Sequence, residues 1–211
     1  MNTKLIFCLP LLLCINIKAY NQVLKYNGLL PAEIVMKTGD TLRLTGKLRW
    51  KDYRYKDSIT DKKISIPFTE METLKITDKS GNTSRFKFFS VKGKDKIRAY
   101  EELVVGKKIS LYCDAFIIES SHPIGPVGQS GFSISLFGTH KIVKYYIRRP
   151  DETKLTKIGA YNTLFNELKH NLLPLFKDCE LLLKRIKKKV YRYRREADIK
   201  TMFEVYNKQC D

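Results

Sequence analysis

Beyond residue 19 the chain holds three cysteines, Cys113, Cys179 and Cys210, and two of them are placed to bond. Leu175, Cys179, Leu182, Ile186 and Val190 recur at spacings of four, three, four and four, which is one face of a helix. Ile199, Met202, Phe203 and Tyr206 mark a second helix, with Asp198 as its N-cap or first-turn acid. Cys179 lies fifteen residues before Arg194, and Cys210 fifteen after Arg195. Two antiparallel helices folded about that turn each rise about 1.5 Å per residue, so their sulfurs arrive at one level. The spacing predicts a Cys179–Cys210 disulfide. In the reading below, Cys113 shares a strand face with Ile109, Leu111 and Ala115. That makes it a buried small hydrophobe, a slowly reacting thiol rather than a nucleophile.

Other chemistry finds no frame. Gly125, Gly128 and Gly131 stand three apart, but no strand-then-helix pattern surrounds them to cradle a phosphate. Ser130 lacks the glycine placement of a nucleophile elbow, and His122 and Asp114 do not complete a triad around it. His122, His140 and His170 are scattered, with no pair at metal-ligand spacing. The acid pairs Glu70/Glu72 and Glu101/Glu102 read as strand or turn surface. The expectation is a protein without catalysis, cofactor or bound metal.

The feature that stands out is charge. The chain carries 40 Lys+Arg against 22 Asp+Glu, a net +18. Between Leu181 and Arg195 lie Lys184, Arg185, Lys187, Lys188, Lys189, Arg192, Arg194 and Arg195, with no acid and with Tyr191 and Tyr193 interleaved. Like charges four apart on a helix repel by a few tenths of a kcal/mol, partly offset where they fall near the helix C-terminus. Such a run is either a solvated face or a surface for an anionic partner: acidic glycan, lipid headgroup or nucleic acid.

These residues must be positioned by the elements around them. Residues 1–19 read as a secretory leader: Lys4 in a positive n-region, an apolar core from Leu5 to Ile17, and Ala19 at the cleavage point. Leu13 is too bulky to precede a lipidated Cys14. Without the leader's two lysines the net charge becomes +16. From Ala32 the apolar period changes to two. Leu42, Leu44, Leu48 and Trp50 form a half-buried strand, joined to Glu33–Met36 by the turn Thr38-Gly39-Asp40. Ile64, Ile66 and Phe68 form a strand that Pro67 places at an edge or ends. Leu74–Thr77 and Arg85–Phe89 flank the turn Lys79-Ser80-Gly81-Asn82, and Ile97–Val105 meets Lys108–Phe116 across Gly106. Residues 119–131 read as a loop. Strands are expected at Phe132–Phe137 and Lys141–Arg148, turning at Thr139 and His140. Tyr161, Leu164, Phe165, Leu168 and Leu172 form a helical stripe that Pro174 ends or restarts.

Successive hairpins followed by helices predict an α+β protein. The expected plan is a leader over 1–19, an antiparallel β-sandwich or open barrel over 20–150, and a C-terminal helical hairpin or bundle over 151–211. An oxidising compartment fits one bridge and one thiol.

The leader, Lys37-Thr38-Gly39-Asp40-Thr41, Val105-Gly106-Lys107-Lys108-Ile109-Ser110-Leu111-Tyr112 and the ending Asp178-Cys179…Tyr206-Asn207…Cys210 resemble small exported, uncharacterised proteins of Bacteroidetes. The resemblance implies a Gram-negative envelope setting and brings no activity; the expected place is the periplasm, the cell exterior or the outer membrane. The expected role is binding or structural, toward an anionic envelope surface or another envelope protein.

Overall fold

A computed structural model describes residues 20–24, 26, 28–114, 116–124, 136–161, 167–193 and 195–210. The expected leader lies outside them. Twelve strands precede three helices: β1 (Tyr20–Leu24), β2 (Leu30–Met36), β3 (Thr41–Leu48), β4 (Asp52–Lys56), β5 (Lys63–Pro67), β6 (Met71–Thr77), β7 (Thr83–Val91), β8 (Lys94–Val104), β9 (Ser110–Asp114), β10 (Phe116–Ile124), β11 (Leu136–Arg148), β12 (Thr156–Tyr161), α1 (Glu167–Leu175), α2 (Glu180–Lys187) and α3 (Glu196–Gln209). The strands form one sheet in the order β1-β10-β11-β9-β8-β7-β6-β2-β3-β4-β5, with β12 also on β11. Every strand pair is antiparallel, so the α+β class holds.

The sandwich or barrel does not hold, because the sheet is open and its end strands β1 and β5 do not pair with each other. The open sheet nevertheless bends. Phe68, just past β5, stacks on Phe88 of β7 at 4.8 Å, and the Arg98 guanidinium of β8 lies 5.4 Å from the Trp50 ring. Both contacts join strands that are far apart in the sheet order.

Register sorts the side chains onto two faces, because residues paired across antiparallel strands point the same way. One row runs Leu42, Ile34, Leu74, Phe86, Glu101, Cys113, Tyr145, Gly159. This inner face carries two cores. Tyr26, Ile34, Leu48, Tyr53, Phe68, Leu74 and Phe86 belong to the first, under β2–β7. Leu111, Cys113, Tyr145, Ile147 and the apolar faces of the helices form the second. A smaller cluster of Tyr100, Tyr112, Tyr146 and Leu155 covers part of the outer face. There the β11–β12 connection folds back, and Leu155 exchanges backbone hydrogen bonds with the end of β7 (Lys92 N to Leu155 O 2.8 Å, Leu155 N to Ser90 O 2.9 Å).

The two glycine turns lie where the sequence puts them, with φ of +96° at Gly39 and +83° at Gly81. Both angles favour glycine. The Asp78 carboxylate accepts from Ser80 N and Asn82 N and fixes the second turn. β5 is an edge strand that ends at Pro67.

Several expectations are corrected. Thr139 and His140 do not turn; they lie inside the single strand β11. Glu119–Ile124 belong to β10, while 125–131 lie outside the described residues. Pro123 is tolerated there because it lies past Ser120, the last β10 residue paired with β1. Tyr161 ends β12 rather than opening a helix, and α1 runs through Pro174 to Leu175. Leu164 and Phe165 are outside the described residues. Among the described residues the first helix is α1, from Glu167, and it follows the strand β12.

Candidate functional site

Cys179 and Cys210 are bonded, with Cα atoms 5.3 Å apart. Cys113 stays a buried thiol. The geometry differs from a hairpin of equal arms: α2 stops at Lys187, residues 188–193 and 195 are non-helical with Lys189 at φ +56°, and α3 starts at Glu196. Cys179 is the N-cap of α2 and Cys210 the C-cap of α3, so the bridge joins helix ends. A loop of that length contributes about 3–4 kcal/mol in the chain-entropy account.

Next to the bridge, segments far apart in sequence meet. The Asn207 side chain accepts from Lys108 N and Ile109 N, both at 3.1 Å, and donates to Ile109 O at 2.9 Å and Phe203 O at 2.8 Å. A Cβ on Gly106 would fall 2.1 Å from the Asn207 amide, so a glycine is needed there. Lys108 Nζ donates to Cys210 O, and the Tyr206 hydroxyl donates to Asp178 Oδ2 at 2.7 Å. Burial, then that carboxylate, push the Tyr206 phenol up to about 12. The Val105-Gly106-Lys107-Lys108-Ile109 and Asp178-Cys179…Tyr206-Asn207…Cys210 stretches thus form one joint that docks α3 on the β8–β9 loop.

The basic run divides between two structures. Lys184, Arg185 and Lys187 lie on α2, and Lys188, Lys189, Arg192 and Arg195 in the turn after it. Arg194 is outside the described residues. Lys184, Lys187, Lys188, Lys189, Arg192 and Arg195 are exposed, while Arg185 is half-buried with Nη1 3.5 Å from the Tyr191 hydroxyl. Among the described residues none of these cations forms an ion pair within 4.0 Å; the pair nearest in sequence is Lys200–Glu196 at 3.0 Å. Asp198 is a first-turn acid of α3 and accepts from Arg192 N at 2.7 Å, holding the turn's backbone. Tyr191 is buried and Tyr193 half-buried in the helical core, so the interleaved aromatics anchor the turn rather than face outward. Leu181 and Val190 are the apolar side chains left exposed among the lysines, at 40% and 58%. Leu181 shares a helix side with Lys184, three residues on.

Elsewhere on the outer face, several cations are paired. Glu33 takes Lys75 at 2.7 Å and Arg43 at 3.3 Å, and Lys75, then Arg43, hold its carboxyl below the usual range. Lys87 pairs with Glu72 at 2.7 Å, Arg85 with Glu102 at 3.5 Å, and Lys92 with Glu152 at 2.6 Å. Glu72 and Glu102 border a cleft of about 440 Å³, together with Lys37, Arg85, Lys87, Phe89, Tyr112 and Arg148.

Glu101 corrects the sequence reading: it is 7% exposed on the inner face, not surface. Its Oε1 accepts from the Tyr26 hydroxyl at 3.0 Å and from Ser84 Oγ at 2.9 Å, and the Cys113 thiol lies 3.4 Å from Oε2. Tyr26 belongs to the β2–β7 core and Cys113 to the helical core, so this carboxylate sits at the seam between them. Its partners cancel much of the cost of burying it. Neighbouring Glu residues on a strand point to opposite faces, and that alternation was the available signal.

Among the described residues, no group of three or more His, Cys, Asp or Glu is placed to hold a metal ion. No helix there is long and apolar enough to cross a membrane. No protein-family model, curated protein or solved structure matches the chain.

Proposed function

We propose that this is an exported, non-catalytic envelope protein that docks on an anionic lipid surface through α2 and the turn after it. The observation that carries the reading is the pairing of Leu181 and Val190, exposed, with lysines and arginines that form no ion pair among the described residues. Exposed apolar side chains enter the headgroup boundary while the cations meet its negative charge, each worth about 1 kcal/mol near such a surface. Nucleic acid is the weaker fit, since single-strand binding wants aromatic faces presented outward and Tyr191 and Tyr193 are turned in. Export rests on the leader-like start and agrees with the Cys179–Cys210 bridge.

Vesicle flotation tests this. The protein should bind phosphatidylglycerol vesicles, not phosphatidylcholine, and lose binding as salt shortens the screening length below about 8 Å. Replacing Lys184, Lys187 and Lys188 with Gln should weaken binding roughly 100-fold at low salt, with thermal unfolding unchanged. Equal retention of wild type and variant would leave the run a solvated face.

A further inference from the structure

The cleft on the outer face has a composition that a purely structural surface does not require. It is built from the turn after β2, from β6–β9 and from the end of β11, away in sequence from the basic turn. Lys37, Arg85, Lys87 and Arg148 line it against two carboxylates, Glu72 and Glu102. Both carboxylates are committed, Glu72 to Lys87 and Glu102 to Arg85. Among the described residues Lys37 and Arg148 are the lining cations with no carboxylate within 4.0 Å, Arg148 having the Tyr112 side chain as a neutral hydrogen-bond partner. Arg148 is the more telling of the two. Its guanidinium lies 5.0 Å from the Phe89 ring, and Nη1 donates to Glu152 O at 3.3 Å. Those contacts fix its plane. Its Nε is buried and hydrogen-bonded to nothing among the described residues.

A buried charged donor without an acceptor costs free energy that a bound acceptor would recover. A guanidinium stacked on an aromatic ring presents a fixed fork that matches the two oxygens of a carboxylate or a phosphate. The exposed Val105 at the rim, together with Tyr112 and Phe89, gives an apolar border beside that fork. The volume falls within the range of small-ligand sites. We propose that this cleft binds a small oxyanion carried on a ring-sized body, with Arg148 receiving the anionic group and Lys37 adding long-range attraction.

Titration calorimetry with three probes sharing one ring tests it: glucuronate, glucose 6-phosphate and glucose. At low salt and millimolar concentration, glucuronate or glucose 6-phosphate should bind and glucose should not; which of the two binds identifies the anionic group as carboxylate or phosphate. Arg148→Gln should weaken that binding about tenfold or more, the value of a charge-assisted hydrogen bond. Lys37→Gln, at an exposed side chain, should weaken it less and leave thermal unfolding unchanged, so it decides the matter if Arg148→Gln does not fold. No heat from either anion, equal binding of glucose, or anion binding unchanged in the folded variants would overturn the site.

Discussion

Strands β2–β7 and strands β8, β9, β11 and β12 turn the same kind of apolar face inward, yet cover it by different means. Under β2–β7 the cover comes from the sheet's own bend, with Phe68 stacked on Phe88 and the buried Tyr53 hydroxyl bonded to Leu30 O at 3.1 Å. Under the other strands it comes from three short helices. α2 has 8 residues and α1 has 9, too short to be stable alone in water. They depend on tertiary fixtures: the Cys179–Cys210 bridge, the Asn207 joint and aromatic packing of Phe176 with Phe203 and Tyr206 at 5.2 and 5.1 Å. The half that lacks intrinsic order is the half that carries the covalent tie and the basic turn.

A large effect on this arrangement, with the bridge left intact, should come from Asn207→Ala. It removes four hydrogen bonds and leaves Lys108 N, Ile109 N and Ile109 O without their partner. The expected cost is about 2–3 kcal/mol, read by denaturant unfolding. Hydrogen exchange should show lost protection at Lys108, Ile109 and α3 with β2, β6 and β7 unchanged at low denaturant. Uniform loss across the sheet would mean that the two halves open as one.

A smaller effect separates two tyrosines, one from each half. Tyr53→Phe removes a bond to a backbone carbonyl and Tyr206→Phe one to a carboxylate, so about 1 and about 1–2 kcal/mol are expected. Both phenols are held at about 12 against an ordinary 10.0, chiefly by burial. The native state therefore keeps these protons longer than the unfolded chain does. Their contribution is full below pH 10 and is lost as pH rises toward 12. The cost of either substitution should shrink across that window, and unfolding curves at pH 9 and pH 11.5 would check it at roughly those settings.

The contrast also explains what could be read from the sequence. The β2–β7 half is made of hairpins between neighbours in the chain, and their period of two and their turn glycines, Gly39 and Gly81, are local signals. The helix pattern around Cys179 was local too, and it brought the right cysteine to Cys210. The length of α2 was not legible, because its apolar spacing continues to Val190 while the backbone breaks at Lys189. The Asn207 joint spans 98 and 99 residues, and nothing in either stretch names its partner. β10 was read as a loop from Glu119 because its Ser-Ser-His-Pro run has turn chemistry; pairing with β11, and with β1 as far as Ser120, overrides it. Of the candidate surface, the cations were visible as a run, while the inward turn of Tyr191 and the exposure of Leu181 and Val190 needed the fold. The cleft at Arg148 gathers residues from Lys37 to Arg148 that no spacing connects.

The claim that the helical half is a covalently closed unit, made in an oxidising compartment, is tested most directly by non-reducing peptide mapping. The protein should be taken from the exported fraction of cells, with its thiols blocked at lysis. Expected are a Cys179–Cys210 peptide, Cys113 alkylated only on denaturation, and an N-terminus near Tyr20. A disulfide peptide containing Cys113, or three alkylated cysteines in the native sample, would contradict it.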